Sequence, residues 1–337
     1  MPALRVVDRS EPGIRRIRRG RGFIYVQPNG RPVVATGLLG RIRALAIPPA
    51  WREVWICPLA SGHIQATGQD AAGRTQYIYH PAYRADREAE KFGRLAQFAR
   101  ALPELRRRVA ADLADRSLTR AKVLAAIVHL LDRSALRVGN RTYAETNKSF
   151  GATTLRRRHA SVAGNTVTLD FRGKSGKQWT VSVRDRRVAG VIRECQRLSG
   201  PVLFQYEDPD GQRRAVSSHD VNSYLRESTR KAVSAKDFRT WSSTVLCAKA
   251  LAGAPSATSR QRLARAASQA IKAVAGELRN TPAVCRKSYI HPAVLKAFED
   301  GRLSRRKRAL AVAASQRATP TDLDGAERAV LSLISRT

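Results

Sequence analysis

The chain has 337 residues, 62 of them Lys or Arg against 27 Asp or Glu, a formal net charge of +35. That excess excludes a basic partner as the default and points to a polyanion, nucleic acid first and an anionic membrane surface second. A hydrophobic fraction of 43% is enough for sizeable cores, so the chain is not a disordered basic tail, and its length suits two domains. No apolar run reaches the ~18 residues of a spanning helix. The N-terminal stretch has no apolar h-region, so no secretory signal is expected. Cys57, Cys195, Cys247 and Cys285 are too far apart for a Cys-x-x-Cys zinc pair and read as reduced thiols of a cytoplasmic protein.

In chain order, residues 13–83 read as strands and turns. Gly22 to Val26 is aromatic and β-branched, Pro28-Asn29-Gly30 signals a turn, and Pro32 to Thr36 is expected as the next strand. A short helix fits Leu39 to Ala46, and strands fit Trp51 to Cys57, His63 to Thr67 and Gln76 to Tyr79. After Tyr83 the period changes. Arg84 to Ala101 and Pro103 to Arg116 carry apolar residues at helical spacing with Arg on the other faces. Thr119 to Leu136 is strongly amphipathic, with Ser117 or Thr119 as its N-cap. Ser161 to Val183 returns to strands around the glycine-rich turn Arg172 to Lys177, a hairpin over 166–183. Helices are expected from Val188 onward, broken by a loop at Ala252 to Ser259. The segment from Gly301 opens basic and then reads helical. The expected organisation is a β-rich domain at 1–90 and a mainly α domain at 91–337.

Gly173-Lys174-Ser175 resembles the end of a phosphate-binding P-loop. That motif needs a glycine where Thr168 stands and a helix after it, whereas the next residues alternate like a strand. ATP is therefore not expected, and no motif for a resident metal is present. Four other features are ordinary one at a time. Arg137 follows a helix C-terminus, which favours cations. Lys174 sits in a solvated turn. Lys236-Asp237-Phe238-Arg239 can be an ion pair beside a core aromatic. Arg286 to Pro292 can be a helix entry with a half-buried Tyr289, Pro292 suiting the first turn.

Together they fit attack on a phosphodiester. That reaction needs a nucleophile, charge stabilisation for a pentacoordinate phosphorane and a proton donor for the leaving oxygen. Guanidinium groups suit the non-bridging oxygens, a lysine suits proton donation, and a phenol in a cationic field can serve as a covalent nucleophile.

At these residues the chain resembles the type IB DNA topoisomerases, of the compact class found in poxviruses and bacteria. The resemblance runs from about Gly22 to Ile290. It is carried in order by Gly73-Arg74-Thr75-Gln76-Tyr77-Ile78-Tyr79-His80, Leu136-Arg137-Val138-Gly139-Asn140, Gly151 to Arg156, Phe171 to Lys174, Lys236 to Trp241, and Asn280-Thr281-Pro282 through Tyr289. It implies Tyr289 as nucleophile forming a 3′-phosphotyrosyl link, Arg137 and Arg239 on the scissile phosphate, and Lys174 as general acid for the 5′-oxygen, with Lys236 assisting. The fifth family position, commonly His, is here Asn280, which can donate a hydrogen bond but carries no charge. Gln76, Tyr77, Tyr79 and Tyr143 match residues that touch DNA.

The resemblance also implies an α+β fold, a small β-sheet domain with a larger, mainly α catalytic domain, closing as a clamp around duplex DNA. The implied activity is relaxation of supercoils by nicking and religation, with no cofactor, no nucleotide and no metal. The expected partner is double-stranded DNA, not a membrane, and the expected state is a nucleoid-associated monomer. Two alternatives remain. A tyrosine recombinase shares the catalytic core but usually has His-x-x-Arg where Lys236 to Arg239 stands and a helical N-terminal domain. A non-catalytic nucleoid protein explains the charge but not the ordered constellation.

Overall fold

The computed structural model describes residues 3–254, 259–303, 309–310 and 321–335. The chain divides into two compact units, Met1–Lys91 and Phe92–Thr337.

The first unit is built on a five-stranded antiparallel sheet in the order β2-β1-β3-β4-β5, formed by β1 (Ile14–Arg19), β2 (Gly22–Val26), β3 (Arg52–Ile56), β4 (Ile64–Gln69) and β5 (Thr75–Tyr79). Helix α1 (Thr36–Ala44) puts Ile42 into a small core with Ile14, Val33, Val54, Ile56 and Ala66. The sheet edge departs from expectation. Pro32 to Thr36 is not a strand: Pro32 makes a single bridge to Val26, and Thr36 already opens α1. Proline has no N–H for a ladder and ends the pairing there. The strand next to β2 is instead β1, whose arginine-rich sequence IRRIRR pairs with β2.

Helix α2 (Pro81–Asp112) is one helix, although two were expected on either side of Pro103. Pro103 removes one backbone bond, but Leu95, Phe98, Ala99, Leu102, Leu105 and Val109 form one buried stripe across it. Burial of that stripe outweighs the lost bond. The second unit continues with α3 (Arg120–Ser134), capped by Thr119, whose side chain accepts from the Lys122 N–H, and α4 (Arg141–Asn147), capped by Asn140. A three-stranded antiparallel sheet follows: β6 (Ala160–Ala163), β7 (Thr166–Arg172) and β8 (Gln178–Arg184). Val167, Leu169 and Phe171 point to the core from β7, as their alternation predicts.

Helix α5 (Arg186–Arg197) leads to a two-stranded ribbon, β9 (Gln205–Glu207) and β10 (Arg213–Ala215). Helix had been expected there. The signal was present: Asp208-Pro209-Asp210-Gly211 is a turn, and Asp208 binds the N–H groups of Asp210 and Gln212. The remaining helices are α6 (Ser218–Thr229), α7 (Ala235–Gly253), α8 (Arg260–Glu277), α9 (Pro282–Ser288), α10 (Pro292–Glu299) and α11 (Gly325–Ile334). Half of the loop expected at Ala252 to Ser259, and most of the basic run from Arg302 to Arg308, lie outside the described residues; Ala252 and Gly253 instead finish α7.

α11 is stapled into the core by charge. The Arg106 guanidinium pairs with Asp132 at 2.9 Å and Glu327 at 2.7 Å, both nearly dry, and donates to the Asp322 carbonyl at 3.0 Å. Trp241 on α7 donates to Glu327 at 3.4 Å. Pairing holds Arg106 firmly charged despite burial. All four cysteines are free and buried.

Candidate active site

Arg137 lies on a loop that begins where α3 ends. Ala135 closes the helix in a left-handed conformation (φ 51°), which turns the chain outward. A backbone clasp then fixes the loop. The N–H of Ala152 donates to the Arg137 carbonyl at 2.8 Å, and that of Thr153 to the Val138 carbonyl at 2.7 Å. The Thr153 hydroxyl donates to Val138 as well. Two glycines permit the approach. A Cβ on Gly151 would stand 2.6 Å from the Arg137 carbonyl oxygen, and Gly139 adopts φ +101°. The Gly151 to Leu155 segment is therefore the splint of the Arg137 loop.

Arg239 comes from the second turn of α7, whose start is fixed by a capping box between Ser234 and Asp237. It is 3% exposed. One Nη donates to the Ala135 carbonyl, and Nη2 donates to the Leu278 carbonyl at 3.1 Å, so Arg239 joins the C-terminal ends of α3 and α8. Its buried Nε has no hydrogen-bond partner among the described residues. A buried, unsatisfied charged donor is costly and calls for an oxygen acceptor.

Tyr289 is half-buried and packs against this group: the Arg239 Cζ lies 5.2 Å from the ring centroid. It caps the C-terminus of α9, its N–H donating to the Cys285 carbonyl at 3.0 Å, while its own carbonyl accepts from Thr244. The sequence suggested a helix entry. The phenol instead sits between two helices, at the exit of α9 and just ahead of α10, where His291 is the N-cap and Pro292 follows. Burial pulls the Arg137 pKa down to about 10, and Arg239 adds like-charge repulsion; Tyr289 and Cys285 oppose. Burial also lowers the Arg239 pKa, with Tyr289 again opposing. Two guanidinium groups and a phenol thus share one electrostatic field. Cys285, one helical turn before Tyr289, belongs to the same field. Its thiol is raised by burial, against the pull of Arg239 and Arg137. Nothing in its sequence context had marked it.

Lys174 stands exposed at the tip of the hairpin, in a tight turn where Ser175 and Gly176 both have positive φ. The base of the tip is rigid. The Gly173 N–H donates to the Lys177 carbonyl at 2.8 Å, and a Cβ on Gly173 would strike the Trp179 indole at 2.6 Å. Trp179 stacks on Phe171 and lies 6.0 Å beneath the Arg239 guanidinium. Trp179 was visible in the sequence only as an alternating strand residue, yet it links the hairpin to Arg239. Asn280 is partly exposed, two residues beyond the Leu278 carbonyl that holds Arg239. Its Oδ1 accepts from the Thr281 N–H at 3.0 Å, which turns the amide nitrogen away as a donor. Lys236 is exposed, three residues before Arg239. Arg137, Arg239 and Tyr289 are brought together; Lys174, Lys236 and Asn280 lie on the elements that frame them. Tyr143 is 48% exposed on α4, which follows the Arg137 loop.

In the first unit, Tyr77 and Tyr79 stack at 5.8 Å along β5, and Tyr79 stacks on Tyr83 at 5.5 Å. Gln76 donates to Asp70, whose carboxylate also binds Arg74 and is held down at about 2 mainly by that pairing. The result is a ladder of aromatic faces beside an ordered polar turn.

Residues 80–316 match the family of the eukaryotic DNA topoisomerase I catalytic core, and residues 22–70 match the N-terminal domain of bacterial DNA topoisomerase IB. The chain is 32% identical to the DNA topoisomerase 1B of Acanthamoeba polyphaga mimivirus, over 86% of this chain and 88% of that protein. It is 23% identical to the DNA topoisomerase 1 of Mycosarcoma maydis, over 51% of this chain and 19% of the other. No helix among the described residues is long and apolar enough to cross a membrane. With an N-terminal antiparallel sheet, a helical region after it and matches over both, the chain belongs to the type IB DNA topoisomerases and is an isomerase of DNA topology.

Proposed function

We propose that Tyr289 is the nucleophile of a nick-and-reseal cycle on double-stranded DNA. The phenol oxygen attacks phosphorus and gives its proton to solvent, the bond from phosphorus to the 5′-oxygen breaks, and Lys174 protonates that oxygen. The freed 5′-hydroxyl strand swivels. The hydroxyl then attacks the phosphotyrosine, returns its proton to the Lys174 amine and releases Tyr289. The intermediate keeps the phosphodiester's energy, so the cycle needs neither nucleotide nor metal.

The observation that carries this reading is the placement of the Tyr289 ring against Arg239, 5.2 Å away, in one field with Arg137. The phosphorane gains charge on its non-bridging oxygens, where Arg137 and the unpaired Nε of Arg239 can donate. The Asn280 amide nitrogen adds a third donor. Gln76, Tyr77, Tyr79, Tyr143 and Lys236 are assigned to contacts with the DNA around that phosphate. Residues 1–90 act as the DNA-binding domain and 91–337 as the catalytic domain; the compact units Met1–Lys91 and Phe92–Thr337 support that division. The protein acts as a monomer. Four free thiols suit a reducing cytoplasm, where the nucleoid is the substrate.

The leaving-group step gives the test. Lys174→Ala should slow single-turnover cleavage by about 10²–10⁴-fold. A substrate with sulfur at the 5′-bridging position leaves without a proton and should restore the rate of Lys174→Ala but not of Arg137→Ala. Equal restoration of both would remove Lys174 from the role of acid.

A further inference from the structure

The hairpin tip carries a second lysine, and it is the one that touches the rest of the site. The Lys177 ammonium donates to the Arg279 carbonyl at 3.2 Å, joining residues 102 positions apart. Arg279 has φ +50°, a left-handed conformation in the turn between α8 and α9, and the next residue is Asn280. The Lys177 charge is also felt at Cys285, beside Arg137 and Arg239, so it belongs to the cationic cluster. Lys177 is at the same time the residue that closes the turn, its carbonyl accepting from the Gly173 N–H at 2.8 Å.

We propose that Lys177 is a positioning residue that latches the Lys174 hairpin to the turn before Tyr289's helix. The inference rests on Lys174 as the general acid. The base of the tip is gripped by Trp179, but Lys174 and the two residues after it, Ser175 and Gly176, are exposed, and Ser175 and Gly176 are in left-handed conformations. Without a tether, the tip would swing about its base and Lys174 would be delivered to the 5′-oxygen only part of the time. The Lys177 bond ties the far side of the tip to the backbone that also carries Asn280 and, through α9, Tyr289. The acid and the nucleophile are then held by one connection. A misplacement of about 1 Å can cost ~10²-fold in rate.

The latch acts only through proton donation, and that separates it from a phosphate-binding cation. Lys177→Met should slow single-turnover cleavage of ordinary DNA by about 10–100-fold. The 5′-bridging sulfur substrate should be cleaved at close to the wild-type rate. Lys177→Arg, which can still donate to the Arg279 carbonyl, should recover most of the loss. In a Lys174→Ala background, Lys177→Met should add little further slowing. The proposal is overturned if Lys177→Met is equally slow on both substrates, since Lys177 would then serve the phosphate or the fold, or if Lys177→Met cleaves ordinary DNA at the wild-type rate. Lys174→Ala assayed alongside keeps the two claims apart: if sulfur fails to restore that variant, the general-acid assignment fails first, whatever Lys177 does.

Discussion

Arg137 and Arg239 are cations kept close together with no carboxylate to neutralise either guanidinium among the described residues. That is unfavourable until an anion arrives: burial first, and the like charge of Arg239 second, pull the Arg137 pKa down. The arrangement persists because the backbone is over-determined: Arg239 is held by two carbonyls, and the Arg137 loop by the glycine clasp. Gly151→Ala tests the clasp. The added methyl must displace the Arg137 carbonyl, so single-turnover cleavage should fall by about 10²-fold while DNA binding, measured by anisotropy, changes little. Unchanged cleavage would show that the loop tolerates the shift. In the sequence, Arg137, Arg239 and Tyr289 could be ranked only by their ordered neighbours. The clasp was legible as a run of matching residues, Gly139 and Gly151 to Leu155, without its reason. Cys285 and Trp179 were not legible as part of the site, because their role depends on which helix and hairpin meet, and no local pattern encodes that.

At the scale of elements, period and caps carried most of the reading. Thr119 caps the helix that follows it, as expected, and the β7–β8 hairpin spans 166–184, one residue beyond the expected 166–183. The failures have common physics: tertiary burial overrode a local signal at Pro103, and Pro32, with no N–H to donate, ended the pairing where a strand was expected. α11 shows what packing adds. Glu327 satisfies Arg106, receives Trp241 and completes a capping box with Asp324, all in a nearly dry site. Glu327→Ala leaves Arg106 with Asp132 as its one carboxylate partner, beside the Asp322 carbonyl, and should cost about 3 kcal/mol in chemical denaturation, at the low end for breaking a buried pair. Glu145→Ala, whose partner Arg141 is fully in solvent, should cost under about 0.5 kcal/mol. Equal costs for the two would mean that the α11 network contributes no more than a surface pair.

For the whole molecule, charge decides affinity before any single contact does. With a formal net charge of +35, most of the binding free energy is expected to come from counterions released along the duplex. Affinity for duplex DNA should fall by at least ~10³-fold between 50 and 200 mM salt, as for a protein neutralising six or more phosphates. A weak salt dependence in fluorescence anisotropy would contradict a surface that follows the backbone. The charge itself was fully legible in the composition. What composition could not choose was the one tyrosine among eight that does the chemistry.

The nucleophile is therefore the claim to test most directly. Tyr289→Phe removes one oxygen from a side chain whose ring keeps its packing on Arg239, so folding and DNA binding should be unchanged. The wild-type protein, denatured during reaction with end-labelled duplex DNA and digested, should carry the label on the peptide containing Tyr289. Tyr289→Phe should carry none and should leave supercoiled plasmid unrelaxed. A label on another tyrosine, or relaxation by Tyr289→Phe, would contradict the account.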